Sequence, residues 1–141
     1  IIPIYLIARR VTSSGGALFA SLIIAFSTSV IQRGNLGWFK SEPFALLLAL
    51  SGCYLFLTLF DSERSNRNIA LRAMFAGSLL GIALTSWGGA QFFNIVFAVL
   101  ILVMPFLKID QRKAVFSTSI FVAFIPWLIL ASQLLANTFP I

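Results

Sequence analysis

Apolar residues run through this chain in long blocks, without the regular polar interruptions that an amphipathic helix or a half-buried strand imposes. Residues 11–32, 43–60, 73–107 and 114–141 carry no charged side chain. A helix needs about 20 apolar residues to cross the hydrocarbon core of a bilayer, so three of these blocks each suit one crossing. The 35 residues from Ala73 to Leu107 are too many for one and suit two, provided the chain turns near the middle. Ser86-Trp87-Gly88-Gly89 is the cluster placed to make that turn, because glycine permits the backbone angles and tryptophan suits the headgroup level. The pattern predicts an all-α, polytopic transmembrane helix bundle. Its spans fall at about 15–32, 43–60, 69–87, 89–107 and 114–135, with residues 1–8 ending an earlier one, five to six in all. Ile1 and Ile141 both lie in apolar stretches, which reads as a portion of one multi-span domain in a longer protein.

Composition sharpens that picture by excluding the soluble alternative. The chain is 60% hydrophobic and 10% charged, against roughly a quarter charged in a soluble domain, too little to build a water-facing surface. A single cysteine, Cys53, sits inside a predicted span, so there is no disulfide framework to read.

The charges that remain sort by side. When the connections are assigned alternately to the two faces, one face receives Arg9, Arg10, Arg64, Arg67, Arg72, Lys108, Arg112 and Lys113, and the other receives Arg33 and Lys40. Basic residues in short loops favour the cytoplasm, so the first set is cytoplasmic. Topology thereby accounts for most of the net charge of +6. A nucleic-acid surface would need basic residues gathered on one exposed face with aromatics among them, and these lie at membrane crossings instead.

The outer connection after the first full span is the one that topology leaves unexplained: Arg33-Gly34-Asn35-Leu36-Gly37-Trp38-Phe39-Lys40-Ser41-Glu42-Pro43. Pro43 suits the first turn of the following helix, which puts Glu42 at or beside the N-cap, where the positive end of the helix dipole favours a carboxylate. Two readings stand. Glu42 either caps its helix and pairs with Lys40, or it contributes an oxygen to a hard cation such as Mg²⁺ or Mn²⁺ or holds a substrate amide. Trp38 and Phe39 read as interfacial anchors before they read as a binding surface. Gly77 to Gly81 is a small-residue spacing that lets helices approach closely. The absence of histidine excludes Ser-His-Asp and Cys-His catalysis within this segment. The absence of ionisable residues at the span centres argues against an ion-coupled transporter.

The outer loop and the later turn together resemble the catalytic subunit of oligosaccharyltransferase. The family's second acidic motif has an arginine at a span's end, small or apolar residues, Gly, aromatics, Asp, any residue and an acid. Here the register reads Arg33, Gly34-Asn35-Leu36, Gly37, Trp38, Phe39, Lys40, Ser41, Glu42. The family's Trp-Gly-Gly turn and the aromatic-rich span after it are matched by Ser86-Trp87-Gly88-Gly89-Ala90-Gln91-Phe92-Phe93-Asn94. The likeness runs from about Pro3 to Leu107. Its departure is Lys40, standing where the family usually has a metal-binding Asp.

The resemblance implies a GT-C fold and transfer of an oligosaccharide from a polyprenyl or dolichyl phosphate-linked carrier to Asn in Asn-X-Ser/Thr of an acceptor polypeptide. It implies Mn²⁺ or Mg²⁺, with Glu42 as the catalytic and metal-binding acid. Arg33, Lys40 and Trp38 become substrate-binding residues, the two cations near the lipid phosphate. The active face is extracytoplasmic in an archaeal or bacterial cell membrane, or lumenal in the endoplasmic reticulum. The family's first acidic motif would precede Ile1, and its Trp-Trp-Asp motif would follow Ile141. Another GT-C transferase, such as a protein O-mannosyltransferase, and a non-enzymatic transporter or assembly subunit are the alternatives.

Overall fold

Polar residues at the block edges set where helices begin. Ser13 and Ser65 accept hydrogen bonds from the backbone N–H of Gly16 at 3.3 Å and Asn68 at 3.5 Å, each satisfying one donor that a helix start leaves open. The Asp110 carboxylate does the same for Arg112 and Lys113 at 3.1 and 3.4 Å. In a computed structural model, which describes residues 1–33, 41–61, 65–106 and 110–138, the elements are α1 (Ile2–Ala8), α2 (Ser14–Ala25), α3 (Thr28–Arg33), α4 (Glu42–Leu57), α5 (Asn66–Ser86), α6 (Gln91–Val103) and α7 (Gln111–Thr138). Short 3-10 turns extend α4 through Thr58–Phe60, precede α6 at Gly88–Ala90 and extend it through Met104–Phe106. No strand occurs among the described residues.

Among the described residues two elements, Glu42–Phe60 and Asn66–Ser86, are long and apolar enough to cross a membrane. The stretch expected as one helix over 15–32 is divided in two. The Ser27 N–H turns back to Ile24 at 3.1 Å, and the Ser27 carbonyl then accepts from Val30 and Ile31, both at 3.0 Å. Serine and threonine compete with helical hydrogen bonding through local bonds of their own, and Ser27-Thr28 marks the break. The 12 residues of α2 span only about 18 Å. α7 continues through Pro126, whose ring removes one N–H from the ladder, a loss that membrane helices tolerate.

Small residues bring α4, α5 and α7 together. A side chain at Gly52 of α4 would meet the Ala76 carbonyl oxygen of α5 at 3.0 Å, and one at Gly77 would meet the Phe121 carbonyl oxygen of α7 at 2.6 Å. Ala45, Ala49, Ala73, Ala76 and Ala83 fill the rest of this seam, all fully buried. Between helices in lipid there is little hydrophobic driving force, so close packing of this kind supplies the cohesion. Gly77→Ala therefore forces α5 and α7 apart and is expected to cost about 1–3 kcal/mol, measured as a lowered thermal unfolding midpoint of the full-length protein in mild detergent. An unchanged midpoint would show that the contact carries no weight.

The contacts also fix the direction of each helix. Gly52 against Ala76 and Leu80, with Thr58 against Arg72, makes α4 and α5 antiparallel. Gly77 against Phe121 and Phe124, with Leu84 and Ile129 lining one cleft, makes α5 and α7 parallel. Met104 against Thr118, with Ile95 and Ile129 in that same cleft, makes α6 antiparallel to α7 and hence to α5. The chain thus reverses at Trp87-Gly88-Gly89, as its sequence predicts.

One end of the bundle, the first, gathers the end of α1, the end of α4, the start of α5, the end of α6 and the start of α7. Arg9, Arg10, Arg67, Arg72, Arg112 and Lys113 all belong to it. There Arg10 donates to both Asp61 carboxylate oxygens at 3.0 and 2.9 Å and to the Leu57 carbonyl at 3.0 Å, with its guanidinium 5.8 Å from the Tyr54 ring centroid. The hydrogen bond to Asp61 holds the Arg10 guanidinium even more firmly protonated than usual. Beside it, in the last turn of α4, Phe56 stacks edge-on against Phe60 and Phe97 at 5.4 and 5.0 Å, and tilted against Phe121 at 4.7 Å. Outside this core the large apolar side chains face outward: Phe19, Phe75 and Phe92 are each about two-thirds exposed, as a lipid surround permits.

Candidate functional site

The second end of the bundle holds the start of α4, the Trp-Gly-Gly turn, the start of α6 and the later part of α7. Its construction begins with Ser41-Glu42-Pro43. Pro43 lies in the first turn of α4, where its missing N–H costs nothing. Ser41 occupies the N-cap with helical backbone angles of −64° and −13° and no side-chain cap bond. Glu42 is thus the first helical residue, half-buried, and its carboxylate is the acidic group of the first turn, set against the positive end of the helix.

Of the other residues that the sequence points to, Arg33 closes α3 and its side chain lies outside the described residues, as do Trp38 and Lys40 entirely. The structure therefore positions Glu42 and leaves its three proposed companions unplaced.

Because α4 and α5 are antiparallel, the end of α5 sits beside the start of α4, and the Gly88–Ala90 turn touches α4 directly. α5 stops where Thr85 and Ser86 donate their hydroxyls to the Ile82 carbonyl at 2.9 and 2.7 Å. Trp87 then swings to extended angles of −152° and 121°, its N–H still held by Ala83. The indole lies over Gly89, and a side chain there would meet the Trp87 ring. That contact gives the second glycine of the turn its reason: only glycine admits the ring.

The reversal opens a cleft of about 900 Å³ at this end, lined by Leu84, Thr85, Gly88, Gln91, Asn94 and Ile129 among others. Gln91 and Asn94 lie three residues apart and so project from the same side of α6. The cleft offers hydroxyl and amide groups on an apolar bed, the character of a binding site for an amphiphilic ligand. Sequence reasoning quoted Asn94 only as part of a motif and gave no role to Gln91 or Thr85. The polar pair within an otherwise apolar span is the signal that points to them, but Ile129 arrives from α7, and no local pattern announces that.

Among the described residues no three of His, Cys, Asp or Glu come together as a metal site. A hard divalent cation takes about six oxygen ligands, and Glu42 offers one carboxylate. The described residues do not by themselves compose such a site.

Residues 1–140 match the family described as Oligosaccharyl transferase STT3, N-terminal. No curated protein and no solved structure matches the chain.

Proposed function

The chain belongs to the oligosaccharyl transferase STT3 family, and from that premise we propose that it is the part of a membrane glycosyltransferase that moves a lipid-linked oligosaccharide onto the Asn side chain of Asn-X-Ser/Thr in an acceptor polypeptide. The observation that carries this reading is the family match across residues 1–140. The family is embedded in membranes and generally depends on a divalent metal. In this reading the segment contributes five to six spans to a GT-C type bundle, and its second end faces the extracytoplasmic or lumenal side. Gathering of the basic residues at the first end supports that orientation, since such residues favour the cytoplasm.

Glu42 is assigned to the acidic set that orients the acceptor amide, with any cation completed by ligands from elsewhere in the protein. Arg33 and Lys40 meet the lipid phosphate, where charge-assisted hydrogen bonds are strong, and Trp38 flanks the bound substrate. The cleft beside Trp87-Gly88-Gly89 lies at the same end, and its polar groups on an apolar bed suit an amphiphilic substrate.

The direct test supplies the full-length protein with lipid-linked oligosaccharide and two peptides, one bearing Asn-X-Thr and one bearing Thr without Asn. Mass addition to the Asn peptide alone is the expected outcome, and modification of the hydroxyl peptide would favour an O-mannosyltransferase-like reaction. Orientation has its own test. In a Cys53→Ala background, Ser41→Cys in intact cells or sealed lumen-out vesicles should react with an impermeant thiol reagent, while Asn66→Cys should not. The reverse labelling pattern would place Glu42 on the cytoplasmic face and end its catalytic assignment.

A further inference from the structure

α6 and α7 run side by side towards the first end, and between them lies an apolar groove of about 510 Å³. Buried Met104 and Ala114 form its floor, closed by the Thr118 hydroxyl, which donates to Met104 Sδ at 3.6 Å. Val115 and Val122 form part of the wall and remain 65% and 46% exposed. Gln111 stands at one end, and Arg112 and Lys113 follow it in the first turn of α7. Asp110, the acid at this mouth, has Oδ1 turned to the backbone N–H groups of both, while Arg112 remains exposed.

Length and charge together indicate the occupant. From Gln111 to Ala123 the groove follows about 18 Å of helix, close to the roughly 15 Å of one leaflet's hydrocarbon half. A single extended hydrocarbon chain matches that length and the apolar lining of Ala114, Val115 and Val122. At its mouth, Arg112 and Lys113 supply cations at the level where lipid phosphates lie, and juxtamembrane basic residues attract anionic headgroups.

We propose that the α6–α7 groove seats one acyl chain of an anionic phospholipid, with the lipid phosphate held at Arg112 and Lys113. The proposal rests on the membrane-embedded reading of the chain and is independent of the transfer chemistry at the opposite end. Its test titrates full-length protein in detergent with phosphatidylglycerol and phosphatidylcholine of identical acyl chains, counting retained lipids by native mass spectrometry. The tightest site should prefer phosphatidylglycerol about tenfold. Arg112→Gln with Lys113→Gln should bring the two lipids to near parity, and Val122→Trp, which fills the groove, should lower retention of both. Arg67→Gln changes an equally exposed cation on α5, which contributes nothing to the groove, and should leave the preference intact.

Equal retention in the unaltered protein would overturn the proposal. So would a preference that survives the double change, or one that Arg67→Gln removes as fully, since that marks a diffuse field. Should Val122→Trp fail to fold, the double change on the exposed helix start decides alone. Washing membranes with alkaline carbonate separates the two levels: release of the protein would sink the membrane reading itself, whereas a retained protein without lipid preference would sink only the groove assignment.

Discussion

Glu42→Gln in the full-length enzyme should lower glycosyl transfer to an Asn-X-Thr peptide by about 10²-fold or more, the scale on which positioned acid–base and electrostatic groups act. The segment has four acidic residues; Asp61 and Asp110 lie at the first end, and Glu63 falls between α4 and α5 in the sequence, outside the described residues. Glu42 is therefore the acid that this segment contributes to the opposite end. Glutamine keeps its size and hydrogen-bonding reach but removes the charge, so the change reads the carboxylate itself. A capping role predicts a different result. The charge at a helix start is worth about 0.3–1 kcal/mol, a small drop in unfolding midpoint with transfer nearly intact. Activity at limiting metal and the unfolding midpoint, measured on the same preparation, separate the two roles. Near-normal transfer would remove Glu42 from the site while leaving family membership untouched. Lys40→Asp is the companion change: a metal role for this loop predicts maintained or tightened metal dependence, and a phosphate-binding role for Lys40 predicts weaker donor binding.

Phe56→Ala should produce the largest loss of stability in the segment. In water much of the penalty for such a truncation is lost transfer free energy, but for helices separating within lipid the acyl chains are as apolar as the core. What remains is packing. Phe56 meets three rings, Phe60, Phe97 and Phe121, from α4's own extension, α6 and α7. At about 0.5–1.5 kcal/mol for each aromatic contact, the expected loss is about 2–4 kcal/mol. Phe56→Leu should recover part of it by filling volume without restoring edge-to-face geometry. Equal unfolding midpoints for Phe56→Ala and the unaltered protein in the same detergent would show that the three rings do not tie α4, α6 and α7 together.

The all-helical character is legible because hydropathy acts over windows as long as the helices themselves. The reversal at Trp87-Gly88-Gly89 is legible for a related reason: a run of 35 uncharged residues exceeds what one crossing holds, and the glycines mark where the excess is taken up. The division of the 15–32 stretch is not legible, because Ser27 and Thr28 barely lower a mean hydropathy, while the backbone bonds that turn the chain there are local. The two capping serines, Ser13 and Ser65, act through the same local chemistry. At the candidate site, Glu42 is readable because Pro43 fixes the helix start beside it. The cleft of Thr85, Gln91 and Asn94 is not readable, because it exists only where α7 closes against the turn. The aromatic cluster shares that property: Phe56, Phe97 and Phe121 sit in three separate helices, and periodicity within any one of them does not reveal that they meet.

The Arg10 clasp sets a schedule for biosynthesis. Arg10 and its carboxylate partner Asp61 are 51 residues apart, so a ribosome adding roughly 5–20 residues per second leaves the guanidinium waiting about 3–10 seconds. During that interval α2 and α3 are made, and the Tyr54 ring and the Leu57 carbonyl that complete the grip follow only near its end. α1, α2 and α3 are therefore complete before Arg10 meets its carboxylate partner. The bond to Asp61 then acts as a late latch, closing on the end of α4 only after that helix has been made. A charge reversal at Asp61 should thus show itself in nascent chains, as an excess of protease-sensitive intermediates among chains extended well past Asp61 and normal behaviour in chains that stop before it.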